Sequence, residues 1–286
     1  MIHSMTGYAS AARDLPQTSL AAELKSVNSR YLDIQFRLPD ELRSLEPPLR
    51  EMIAARLSRG KIECRVVLSA ATGAGPQLAL NQNLLAALAE ASRQVRESIP
   101  DAAPLRVGEV LHWPGVLADD RTTVLRDSAL ALAEEVLAEF SASRAREGGK
   151  LAAMLLERVD RMEKLLATIQ PLLPEAVAAY EERLAARLRE ALGATDEERI
   201  RQEIALFGVK VDVTEELNRL AAHLHEVRRV VTAGGVVGKR LDFLMQELNR
   251  EANTLGSKSV SKELSDASLE FKLLIEQMRE QIQNIE

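Results

Sequence analysis

The sequence predicts an α+β protein: an N-terminal sheet-containing domain followed by a C-terminal domain of long helices. Three observations carry this reading. Between Ser4 and about Ala71, apolar side chains alternate with polar ones at the two-residue period of half-buried strands. Residues 128–169 contain no proline, in a chain with only 3% aromatics and abundant Ala, Leu, Glu and Arg. Finally, two amphipathic helical segments flank Gly234-Gly235, a pair suited to a sharp reversal. The expected divisions are an α+β domain over 1–125, a long helical arm over 126–195 and a helical domain over 196–286.

The elements follow in order. Leu20, Ala22 and Leu24 alternate, as do Ile34, Phe36 and Leu38, then Ile62, Cys64, Val66 and Leu68. Between the second and third strands, Pro39-Asp40 opens a helix carrying Leu42, Leu45, Leu49, Met52, Ile53 and Leu57, which Gly60 is expected to close. Residues 72–76 read as a turn cluster, and Asn81 caps a helix that runs to about Ser98. Pro171 and Pro174 punctuate the long helices, a further helix runs to Leu192 and Gly193, and Asp196 opens the next. At the end, Phe271, Leu274, Ile275, Met278, Ile282 and Ile285 form one apolar stripe, expected to serve as a contact between subunits.

Composition narrows the function. A chain of 286 residues with 46% hydrophobic content can bury a sizeable core. Its single cysteine, Cys64, excludes an internal disulfide and suits a reducing compartment. With no apolar run of membrane-spanning length, a cytoplasmic protein is expected. No zinc spacing, P-loop or dinucleotide fingerprint is present. The net charge of -6 argues against broad, nonspecific nucleic-acid binding. The charge is uneven, however. Lys and Arg outnumber Asp and Glu by 10 to 8 over residues 1–65 and by 7 to 4 over residues 226–262.

The chemistry concentrates in residues 212–259. Asp212, Glu216, Arg219, His223 and Glu226 recur at offsets 0, 4, 7, 11 and 14, a polar stripe on one helix face beside the apolar row Val213, Leu217, Leu220, Leu224 and Val227. On the following helix Glu247 and Glu251 share a face with Arg240, Arg250 and Thr254. A hairpin at Gly234-Gly235 would bring the two polar faces together. Carboxylates with an imidazole on facing helices are the ingredients of a divalent-metal site, with Glu216, His223, Glu247 and Glu251 as candidate ligands or base. The competing reading is a set of solvated salt bridges, with His223 hydrogen-bonded in a polar core. Against that stands the density of Gln246, Asn249, Asn253, Thr254, Ser257 and Ser259, which a merely solubilising face has no need of. His3 and His112 lack a carboxylate at ligand spacing, and His225 points away from the stripe.

RLDFLMQELNREANTLGSKS, DVTEELNRLAAHLHE, the closing FKLLIEQMREQIQNIE, and at the other end MIHSMTGYASA with AAELKSVNSRYLDIQFRLP closely resemble the bacterial YicC/YloC family, over the whole of residues 1–286. The resemblance implies an endoribonuclease that is metal-dependent, hexameric and active on RNA, in company with other RNA-decay enzymes. The expected cofactor is Mn²⁺ or Mg²⁺. The expected catalytic residues are His223, Glu247 and Glu251, with phosphate held by Arg219, Arg240, Arg250 and Lys258. Lys25, Asn28, Arg30, Arg37 and Lys61, on or beside the strands, are expected to touch RNA. In SMTGYA, Thr6, Gly7 and Tyr8 admit either a strand bulge or close approach of a phosphate backbone. Two other classes remain: a noncatalytic adaptor that presents RNA to another nuclease, and a structural assembly of long charged helices.

Overall fold

The computed structural model describes residues 1–16, 18–70, 80–117, 120–192 and 197–286. The turn expected at 72–76 and the helix boundary expected at Gly193 and Asp196 lie outside the described residues. The described chain forms two compact units, one comprising Gly7–Ser141 and the other Met1–Thr6 with Ala142–Glu286.

The first unit holds a four-stranded sheet. Strands β1 (Gly7–Asp14), β2 (Thr18–Val27), β3 (Leu32–Arg37) and β4 (Gly60–Ala70) lie in the order β1-β2-β4-β3. The β1–β2 and β2–β4 pairs are antiparallel, and β3–β4 is parallel. A parallel neighbour requires a crossover. It is supplied by a 3-10 turn at Asp40–Leu45 that runs into helix α1 (Glu46–Ala54). The helix therefore stops before the expected Gly60. That glycine opens β4 instead, with φ of +117°, a conformation strained for any residue with a Cβ.

The alternation read from sequence defines the buried face. Ala9, Leu20, Ala22, Leu24, Ile34, Ile62, Cys64 and Val66 pack against Leu42, Leu45, Leu49 and Ile53, and against Ala129, Leu132, Val136, Leu137 and Phe140 of a long helix farther along the chain. Cys64 is buried there, and desolvation pushes its thiol up to about 12, so it behaves as a small hydrophobe. Helix α2 (Gln82–Ser98) begins where expected, with Asn81 Oδ1 accepting the amide of Leu84 at 3.1 Å. A short helix α3 (Val107–Leu111) follows. Helix α4 is one continuous run, Asp120–Ile169, and starts eight residues before the proline-free stretch the sequence marks.

The second unit is built on a bundle of the latter half of α4 with α7 (Thr214–Ala233), α8 (Gly238–Lys258) and α9 (Lys262–Ile282). Leu155, Val159 and Met162 of α4 meet Leu220, Leu224 and Val227 of α7, Leu241, Leu248 and Leu255 of α8, and Phe271, Leu274 and Met278 of α9 in one core. Phe271, Leu274, Ile275, Met278, Ile282 and Ile285, the stripe assigned above to subunit contacts, are all buried within this single chain. That expectation is corrected: an amphipathic terminal helix completes its own bundle here. Helices α5 (Leu173–Leu192) and α6 (Glu197–Val211) pair with each other, Tyr180 stacking on Phe207 at 4.7 Å between ring centroids.

The two chain ends are tied together in this unit. Met5 N donates to Asn284 O at 2.8 Å, and Glu286 N donates to His3 O at 3.0 Å. Buried Arg144 donates from Nε to Ser4 O at 2.6 Å and pairs with the Glu286 carboxylate. Ser4 is itself fully buried and caps Thr6 through its hydroxyl, so SMTGYA is half terminal staple and half the start of β1.

Candidate metal and RNA site on the α7–α8 hairpin

Gly234 and Gly235, with φ of +71° and +89°, reverse the chain between α7 and α8 as their sequence predicts. Each glycine adopts a left-handed φ that side chains avoid. The reversal lays the polar stripe of α7 along that of α8, and three groups of contacts cross the seam. Nearest the turn, Glu226 accepts from Arg229 Nε at 2.7 Å and pairs with Arg240 of α8. These contacts, with the Arg229 hydrogen bond the largest cause, hold the Glu226 carboxyl down at about 2. At the far end, Lys258 Nζ donates to Glu216 Oε1 at 2.8 Å and to Asp212 O at 2.9 Å. Asp212 Oδ1 also accepts the Thr214 amide at 2.9 Å just ahead of α7, which lowers the Asp212 carboxyl below its ordinary range.

Midway between these clamps, His223, Glu247 and Glu251 each offer a donor atom, all within 4.8 Å of one another. Glu251 is 3% exposed, whereas His223 and Glu247 are half-buried. Arg219 Nη1 stands 3.6 Å from Glu251 Oε1 and also pairs with Glu215, leaving half of its own side chain in water. A shallow depression lined by Asp212, Thr214, Glu215, Asn218, Arg219 and Ala222 adjoins the cluster through Arg219.

The donor set fits a hard or borderline divalent ion. Two carboxylates and one imidazole suit Mn²⁺ or Mg²⁺, and no soft thiolate is near. Donor atoms sharing one ion at about 2.1 Å lie about 3.0 to 4.2 Å apart. The three donor atoms, within 4.8 Å of one another, are gathered at about that scale.

Of the four candidate ligands, three converge. Glu216 is drawn aside to Lys258, and its Oε2 is buried without a hydrogen-bond partner among the described residues. Of the expected phosphate-binding groups on the hairpin, Arg240 and Lys258 are engaged as the end clamps. Arg219 leans on Glu251, and Arg250 is exposed with no ion pair to another described residue. His225 is exposed beside Arg228 and Arg229, off the seam.

The N-terminal basic residues sit in the other unit. Lys25 on β2 and Arg37 on β3 both reach Glu63 of β4, at 3.0 and 2.8 Å. Lys25 is the first cause of a Glu63 carboxyl lowered from its ordinary range. Lys61 is exposed on β4, Asn28 is exposed between β2 and β3, and the Arg30 guanidinium lies over the Tyr31 ring at 5.5 Å from its centroid. Sequence reasoning passed over Arg65, which sits beside Arg37 across the parallel β3–β4 pair. The signal was available in the alternation of Lys61, Glu63 and Arg65 opposite Ile62, Cys64 and Val66.

Residues 2–153 match the family described as Endoribonuclease YicC-like, N-terminal region, and residues 169–286 match Endoribonuclease YicC-like, C-terminal. The chain belongs to the YicC-like family. It is 37% identical to the Probable endoribonuclease YicC of Haemophilus influenzae and 28% identical to that of Clostridioides difficile, with 100% of both chains covered in each comparison. Among the described residues no helix is long and apolar enough to cross a membrane.

Proposed function

We propose that this YicC-like protein is an endoribonuclease that cleaves RNA phosphodiester bonds with a divalent ion, Mn²⁺ or Mg²⁺, held by His223, Glu247 and Glu251. The observation that carries this is the convergence of those three donors on a hairpin seam clamped at both ends. The two carboxylates and Arg219 sum to one negative charge, which repels phosphate. A bound dication inverts that sign and supplies Lewis-acid polarisation of the scissile phosphate or an acidified water.

The chain's own groups do the rest. Arg219, beside Glu251 and half in water, and exposed Arg250 are placed to hold phosphate oxygens and offset the developing charge. Glu247 has no ion pair with another described residue and can accept the proton of an attacking water or ribose 2′-hydroxyl. The end clamps Glu226–Arg240 and Glu216–Lys258 fix the register of α7 on α8, and so position the three donors. The proposed setting is RNA turnover in the cytoplasm, alongside other RNA-decay enzymes, by a homo-oligomer proposed to be a hexamer. Exposed Phe243, Leu269 and Leu273 are the apolar groups on α8 and α9 left to form subunit contacts.

The test is incubation of labelled RNA with Mn²⁺, Mg²⁺ or chelator, with a Glu247→Gln variant alongside. The parental protein is expected to cut only with an ion, and the variant to bind RNA normally while cutting roughly tenfold or more slowly. Equal cutting in chelator overturns the metal role, and binding without cutting under every condition makes the protein an adaptor.

A further inference from the structure

The sheet has one buried face and one open face. On the open face three cross-strand rows can be read directly from the pairing. Tyr8, Lys25, Glu63 and Gln35 form one. Val27, Lys61 and Asp33 form the row on one side of it, and Ser10, Glu23, Arg65 and Arg37 the row on the other. Tyr8 is 56% exposed on β1, and at the Lys61 end Tyr31 is 70% exposed, its carbonyl accepting the Gly60 amide at 3.2 Å.

This surface differs from the chain around it. In these rows Lys25, Arg37, Lys61 and Arg65 stand against Glu23, Asp33 and Glu63, and Arg30 lies over Tyr31 beside them, a slight basic excess within a protein whose net charge is -6. Glu63 is held as a carboxylate by Lys25 and Arg37. Exposed Lys61 and Arg65 make no ion pair with another described residue, although Arg65 adds to the field that lowers Glu63, so both can turn to a ligand. Each exposed ring presents an apolar body and a π-face to solvent beside these cations.

We propose that the open face of this sheet, with Tyr8 as a stacking platform and Lys61 and Arg65 as phosphate contacts, binds single-stranded RNA. The inference rests on the endoribonuclease reading for its substrate and narrows that substrate to unpaired strands. Four strands at about 4.8 Å spacing make a platform about 14 Å wide, room for roughly two or three unstacked bases. A ring projecting from a sheet stacks on an unpaired base, whereas a duplex presents its phosphates and keeps its base faces hidden. Charge alone would hold either form of RNA, and the tyrosine is what selects.

The test is fluorescence anisotropy in chelator, so that no cutting intervenes. The probes are a labelled oligouridine about twelve nucleotides long and an RNA duplex of equal length. The proteins are the parental chain, Tyr8→Ala and the double variant Lys61→Glu/Arg65→Glu, each checked by circular dichroism and by a Mn²⁺-induced shift in melting temperature. The parental protein is expected to prefer the single strand. Tyr8→Ala should lose roughly tenfold in affinity for oligouridine while the duplex changes little. The double variant should weaken both probes and flatten the salt dependence. All should keep the parental Mn²⁺ shift. Unchanged oligouridine binding by Tyr8→Ala and by the double variant overturns the proposal, as does equal parental affinity for the duplex. Because the assay runs without metal, these outcomes stand whether or not the hairpin proves to be the cutting site.

Discussion

Glu251→Gln tests the hairpin through stability as well as activity. Glu251 is 3% exposed, and its donor oxygen lies within 4.8 Å of a Glu247 carboxylate oxygen and a His223 ring nitrogen. At an effective dielectric near 20, two unit charges at that separation repel by about 3.5 kcal/mol. Arg219, 3.6 Å away, offsets this, but it is half in water and shared with Glu215, which brings its worth toward about 1 kcal/mol. Glutamine keeps the shape and removes the charge, so more repulsion is relieved than attraction lost. In chelator the variant should therefore melt at or above the parental temperature, with a gain of up to about 2 kcal/mol. Mn²⁺ at about a hundred times its dissociation constant should then stabilise the parental protein by about 2.7 kcal/mol, or roughly 5 to 10 °C, and the variant by little. Differential scanning calorimetry with and without Mn²⁺ reads both effects. A variant that is destabilised in chelator and still shows the full Mn²⁺ shift would mean that Glu251 is Arg219's structural partner and not a ligand.

Three further outcomes follow from the geometry. The folded Glu226 carboxyl, at about 2, lies below its ordinary value of 4.5, so its stabilisation is present above about pH 5 and is lost as the pH falls toward 2; Glu226→Gln should flatten the denaturation midpoint across that window and leave it pH-dependent elsewhere. Gly148→Ala would put a Cβ 2.1 Å from Ile2 O, so displacement of the N-terminal segment should cost about 1 to 3 kcal/mol in chemical denaturation. Arg144→Ala removes the buried guanidinium shared by Ser4 O and the Glu286 carboxylate and should cost about 1 to 3 kcal/mol, with faster amide exchange at Met5 and Glu286.

The sequence made the strands legible because one face of the sheet is buried and the other is wet, which prints a two-residue period on β2, β3 and β4. It made the hairpin legible because a glycine pair stands between two stripes of matching polarity. What it hid was the partner choice of long side chains. Spacing places Glu216 and Glu251 on equal terms, yet Lys258 reaches back across the seam to claim Glu216, a choice that depends on the three-dimensional register of the helix ends. The terminal stripe misled for a related reason. Phe271 to Ile285 looks the same whether it meets a second copy or its own bundle, and only the packing of α4, α7 and α8 shows that the cavity it fills is internal. The stapling of residues 1–6 to the chain's other end left no periodic trace, since it is built from backbone pairing and one arginine.

The most direct measurement of the central claim is anomalous diffraction at the manganese edge from crystals soaked in Mn²⁺. The account predicts a single strong peak between α7 and α8, within roughly 2.0 to 2.4 Å of donor atoms of His223, Glu247 and Glu251, and its disappearance in Glu247→Gln crystals. A peak ligated by other residues, or none at millimolar Mn²⁺ in crystals that cut RNA when dissolved, would contradict it.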